Sequence, residues 1–233
     1  ACYHGLIGRA VADRGGQTAE AARTVCAETT SVRGEYLSCI HAIGHGLATA
    51  AGFNLARALG PCDELSEPER LPCWDGVFME YLFSAPPSAA RQEDPWYPCT
   101  AVDDPYRVAC SRRQAGVMRF KLGLSTPEIA TACLSAQGPE MVNPCLDSIG
   151  RYAGFISAGD ITAVRAICAE TGQSRAEARC TFSAAIELAL DNFADADTTA
   201  RVLCGELPRE LGAECLERLE RIRQSRYEQD NLY

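Results

Sequence analysis

The 13 cysteines of this chain stand at positions 2, 26, 39, 62, 73, 99, 110, 133, 145, 168, 180, 204 and 215. Short steps of 11 to 13 residues alternate with long steps of 23 to 26, so that every second cysteine recurs after 34 to 37. A fixed period of that length is the mark of a two-helix repeat that stacks on copies of itself. One such unit is too small to bury its own apolar face, and a cross-link near the end of each hairpin removes entropy from the denatured chain.

The residues between the cysteines agree with helices. Ser174 to Leu190 and Asn143 to Phe155 open on a residue of the N-cap type and then place apolar side chains at helical spacing. These are A helices, with a cysteine near the start. Asp160 to Gly172, Pro127 to Cys133 and Asp197 to Leu207 are shorter stretches that carry the second cysteine towards their end, and these are B helices. No segment alternates with period two in β-branched residues, so no sheet is expected. The predicted fold is all-α, a solenoid of about six disulfide-stapled two-helix repeats forming a single domain over residues 1–233. The start in the middle of a repeat suggests a fragment of a longer exported chain.

Zinc ribbons, iron–sulfur sites and thioredoxin-type centres need cysteines a few residues apart, and the closest pair here is 11 apart. Disulfides are therefore expected, and with them a periplasmic or secreted location. Two pairing phases satisfy the spacing. In one, Cys26–Cys39, Cys62–Cys73, Cys99–Cys110, Cys133–Cys145, Cys168–Cys180 and Cys204–Cys215 clip each B helix to the next A helix and leave Cys2 over. In the other, Cys2–Cys26 and its successors close each A/B hairpin and leave Cys215 over. The first joins positions that flank short connections, which favours it.

A two-helix unit of about 35 residues with cysteines at a fixed phase resembles the cysteine-rich, tetratricopeptide-like helical repeat proteins of bacteria. The resemblance is one of architecture, since the tryptophan, leucine-glycine, tyrosine and alanine positions of the tetratricopeptide signature are not met. It implies a concave groove lined by A helices that takes a peptide or a protein partner, or an upstream domain of the same chain.

Aligning the units on their first cysteine brings His4, His41, Asp75, Arg112, Asp147, Phe182 and Glu217 to one phase, two residues after the cysteine. Residues at one phase of a stacked repeat point the same way, so a row of polar side chains across neighbouring helices is expected. His41 and His45 stand at i, i+4 on one helix face, spaced to share a metal ion. His4 would join them from the adjacent A helix, with Asp75 or Glu80 as an oxygen ligand. Such a set suits zinc or iron, or else manganese or copper. Arg112, Asp147 and Arg151 are the expected groove-binding residues. The leading expectation is thus an extracytoplasmic repeat domain that binds a transition metal through its histidines and uses it for binding or catalysis. The alternative is a non-catalytic module whose groove takes a peptide or protein.

Other classes are disfavoured. A net charge of −9, with Lys121 the one lysine among 22 basic residues, argues against a phosphate-neutralising surface for nucleic acid. Tyr36 to Ala56 runs for 21 residues without a charged side chain other than histidine, yet it holds His41, His45, Asn54 and three glycines, and reads as a buried helix rather than a membrane span. The proline-rich stretch Ser84 to Pro98 is the longest interruption of the repeat, a connector or a lid carrying Trp96 or Tyr97.

Overall fold

The computed structural model describes residues 9–11, 13, 23–24, 26–27, 33–86, 91, 93–190 and 195–230. All regular secondary structure among the described residues is helical. Besides helical residues at 9–11, 13, 23–24 and 26–27, the α-helices with described bounds are, in chain order, α1 (Arg33–Ala50), α2 (Leu55–Asp63), α3 (Glu67–Ser84), α4 (Asp104–Phe120), α5 (Thr126–Leu134), α6 (Pro139–Ser157), α7 (Ile161–Ala169), α8 (Ser174–Leu190), α9 (Ala196–Gly205) and α10 (Arg209–Asp230). Long A helices (α1, α3, α4, α6, α8, α10) alternate with short B helices (α2, α5, α7, α9). Between α3 and α4 the described residues of the B position hold a single 3₁₀ turn, Cys99–Ala101. Pro95, Pro98 and Pro105 crowd that stretch, and each removes a backbone donor that a helix interior needs. Contacts divide the chain into two compact units, residues 1–91 with 97–113, and residues 92–96 with 114–233.

Local chemistry sets the helix boundaries. The Asn54 side chain accepts the amide of Arg57 to start α2, and Asp160 accepts from Thr162 and Ala163 to start α7. Ser66 with Glu69, and Ser125 with Glu128, form reciprocal capping boxes at the starts of α3 and α5. Helix α6 begins at Pro139, four residues before the Asn143 start expected from the sequence, because proline in the first turn has its backbone angle preset and has no amide to leave unpaired.

Six disulfides clip B to A in the first of the two phases: Cys26–Cys39, Cys62–Cys73, Cys99–Cys110, Cys133–Cys145, Cys168–Cys180 and Cys204–Cys215. Cys2 lies outside the described residues. The cysteine of the A helix always falls at its seventh position, as with Cys39 in a helix that begins at Arg33 and Cys180 in one that begins at Ser174. The remainder of the core is aliphatic, with Ile40, Ile43, Leu59 and Val77 in the first unit and Leu146, Leu188, Leu203 and Leu219 in the second.

Neighbouring A helices approach through glycine. A Cβ on Gly44 would lie 2.1 Å from the Cys73 carbonyl oxygen, and one on Gly76 2.0 Å from that of His41, so α1 and α3 meet backbone to backbone. In the second unit α6 and α8 repeat the device, since a Cβ on Gly150 would lie 2.1 Å from the Cys180 carbonyl oxygen. Gly44 and Gly150 each stand five residues after the A-helix cysteine and each face the cysteine carbonyl of the next A helix, which shows the repeat acting at the level of single atoms. No helix among the described residues is long and apolar enough to cross a membrane.

Candidate functional site

The polar row is present in the first unit. The close approach of α1 and α3 puts His41 Nδ1 at 3.4 Å from Asp75 Oδ2, and α4 brings Arg112 Nε to 3.5 Å from Asp75 Oδ1. Arg113, one residue on, grips the same carboxylate with both arms of its guanidinium, Nε donating to Oδ1 at 2.9 Å and an Nη to Oδ2. One turn along α1, His45 Nδ1 donates to Glu80 Oε2 at 2.7 Å, and Ser84 donates to the other oxygen of Glu80.

The two imidazoles face each other through their Nε2 atoms, 3.1 Å apart. His41 Nδ1 is 3.2 Å from the Pro72 carbonyl, which can only accept, so that nitrogen carries hydrogen. His45 Nδ1 carries hydrogen toward the Glu80 carboxylate by the same reasoning.

Electrostatics follow from these contacts. Burial alone would push the Asp75 carboxyl up, but Arg113, Arg112 and His41 together outweigh it and hold the group well below the usual carboxylate range. The hydrogen bond from His45 lowers Glu80, against a smaller opposing effect of burial.

The transition-metal site expected at His4, His41, His45, Asp75 and Glu80 is overturned. Among the described residues there is no group of three or more His, Cys, Asp or Glu that could hold a metal ion. The reason lies in which face of each ring is used. Asp75 and Glu80 both address Nδ1 atoms, while the rings meet through Nε2, so the oxygen and nitrogen ligands do not converge on one point. Asp75 is also taken by two arginines, and the cysteines from Cys26 to Cys215 are all in disulfides. His4 lies outside the described residues. The metal-dependent function built on this cluster falls with it.

The expected groove residues are placed in separate units. Arg112 belongs to the first. Asp147 and Arg151 sit one turn apart on α6 in the second, where Asp147 accepts both arms of Arg179, Nε at 2.8 Å and an Nη at 2.5 Å. Its position matches that of His41, since each reaches the residue just before the cysteine of the next A helix, Pro72 for His41 and Arg179 for Asp147. Trp96 is no lid. It is 8% exposed and donates its indole N–H to the Ala132 carbonyl within the second unit.

Replacing Asp75 isolates its arginines. Asp75→Asn is expected to cost about 2–3 kcal/mol by urea unfolding at pH 7, because Arg113 and Arg112 stay partly buried without their counter-charge. The sign with pH is set by the depressed carboxyl: its stabilisation is complete above an unfolded value of about 4 and drains away as pH falls toward the lower folded value. The difference between wild type and Asp75→Asn should therefore narrow from pH 5 to pH 2. A constant difference across that range would contradict the role given to the pair.

A second feature escaped the alignment because it lies further along the repeat. Ten residues after the A-helix cysteine stand Phe83, Phe120, Phe155 and Leu190, at the C-terminal ends of α3, α4, α6 and α8. They are 63%, 58%, 71% and 55% exposed, among the most exposed large apolar side chains described, and Ile156 beside Phe155 is exposed as well. In the second unit the Phe120 ring stands edge-on to Tyr152 of α6, centroids 5.4 Å apart. The signal was available in the sequence as a repeat phase that is aromatic or aliphatic four times running.

No protein-family model matches this chain, and no curated protein or solved structure does.

Proposed function

We propose that this chain is an extracytoplasmic, disulfide-stapled helical-repeat module that binds another protein, and that the second unit does so through the C-terminal ends of its A helices. The carrying observation is the apolar row of Phe120, Phe155 and Leu190, one large exposed side chain on each of three consecutive A helices at one repeat phase. Scattered apolar residues on a surface need no explanation, whereas a row in register with the repeat is a built feature. Packed helices lie about 8–10 Å apart, and seven residues of helix rise about 10 Å, so a partner helix with apolar residues seven apart would meet the row in register. Six described disulfides and the absence of close thiol pairs support an oxidising compartment for that encounter. The bacterial tetratricopeptide-like architecture is the lineage this reading suggests.

A photo-crosslinking side chain at position 155 is expected to capture a discrete partner from the exported proteins of the source cells. The triple change Phe120→Ser, Phe155→Ser and Leu190→Ser, all on exposed positions, should keep the helical spectrum and weaken that partner at least about tenfold, as loss of interface anchors does. Unchanged affinity in the triple variant, or no crosslinked partner at position 155, would refute the reading.

A further inference from the structure

A cleft in the first unit, well away in sequence from the apolar row, has the chemistry of a cation site. It encloses about 460 Å³ between the end of α1, the start of α2, the end of α3 and the approach to α4. Its wall carries four aromatic rings, Phe53, Tyr81, Tyr97 and Tyr106, with Asp103 among the lining residues. That volume lies in the ordinary range for small-ligand sites, about 300–1,000 Å³.

Apart from Arg91, which lies over the Tyr97 ring, the charges placed at the cleft are those of aspartates. Asp103 is exposed at the cleft. Behind it, Tyr106 donates its hydroxyl to Asp63 Oδ2 at 2.6 Å, and Trp74 donates its indole N–H to Asp63 Oδ1 at 3.1 Å. Both donors are neutral, and neither aspartate is joined to an arginine or lysine among the described residues. The field is felt locally: the hydrogen bond to Asp63, then burial, then the charges of Asp63 and Asp103 push the Tyr106 hydroxyl up to about 12.

Two further observations concern the aromatic wall. The guanidinium of Arg91 lies over the Tyr97 ring, 3.9 Å from its centroid, so one ring of this wall already receives a cation on its face. Phe53 is held at φ 63, directly after Gly52 at φ 58. A bulky side chain is costly in that left-handed region, where glycine or asparagine would be cheap, yet Phe53 stands there and lines the cleft.

We infer that this cleft binds a guanidinium or ammonium group, seated against the faces of Phe53 and the tyrosines and neutralised by Asp103 with Asp63 behind Tyr106. The group can come from a free organic cation or from an arginine or lysine side chain of a peptide, and the shared chemistry is a delocalised or bulky positive charge on an aromatic wall.

The test is calorimetric titration of the oxidised chain with two probes, choline and an end-blocked tripeptide centred on arginine, beside 3,3-dimethylbutanol, which has the shape of choline without its charge. One or both cations are expected to bind one per chain with a dissociation constant at or below about 1 mM, in line with partly desolvated cation–π contacts, and the neutral alcohol not to bind. Binding of choline marks a free cation as the source, and binding of the tripeptide alone marks a side chain. Asp103→Asn, at an exposed position that leaves the fold intact, should weaken the bound cation about threefold to fivefold. Failure of both cations to saturate, equal binding of the alcohol, or an unchanged affinity in Asp103→Asn would each overturn the inference.

Discussion

Reduced and alkylated in denaturant and then returned to buffer, this chain is expected to show little of its helical signal at 222 nm, whereas the oxidised chain taken through the same cycle recovers it. Each described disulfide closes a loop of 11 to 13 residues, and a link of that size contributes about 2.5–3 kcal/mol through the denatured chain. Six together amount to something on the order of 15 kcal/mol, which equals or exceeds the whole net stability of an ordinary domain. In native buffer the reductant should act slowly, because none of the linked cysteines is more than 2% exposed and the helices must open before a sulfur can be attacked. A reduced chain that regains its helices and melts cooperatively would show that the aliphatic core suffices and the staples are incidental.

Adding one methyl group at Gly76 or Gly150 is expected to lower stability by at least about 3 kcal/mol, a fall in the melting midpoint on the order of 15 °C for units of this size. In each case the new Cβ would press on a backbone carbonyl, 2.0 Å from that of His41 or 2.1 Å from that of Cys180, and backbone has no rotamer by which to yield. Helices α1 and α3, or α6 and α8, would have to separate, which also opens the contacts that hold Asp75 to His41 and Asp147 to Arg179. Gly60→Ala is the control. It lies within α2 with nothing within 4 Å of its Cβ position, and should be neutral or stabilising by up to about 1 kcal/mol, because alanine loses less freedom in a helix. Equal behaviour of the three variants in thermal melts would show that the A helices do not pack through glycine.

Spacing correctly placed His41 and His45 on one face of α1, and the repeat phase placed Asp75 beside His41 with Arg112 next to it. Neither spacing nor phase could say which nitrogen of each ring would face its partner. That was settled by the short distance between α1 and α3, which seats both carboxylates against Nδ1, and by Arg113 arriving from α4 to claim Asp75. Arg113 stands one residue off the repeat phase, so an alignment on cysteines passes over it. The aromatic cleft was hidden for a similar reason, since Phe53, Tyr81, Tyr97 and Tyr106 share no phase and come from four different segments.

By itself, the sequence determined the helical class, the two-helix period and the oxidised state of the cysteines, because these follow from chain-local quantities: apolar spacing, capping residues, and the separation of thiols along the chain. Tertiary structure alone decided which side chains meet across helices, because that depends on how closely two backbones approach, a distance set here by glycines such as Gly44 and Gly150 and sensitive to a single methyl group. The contacts of Asp75 with His41 and of Asp147 with Arg179 are consequences of that distance.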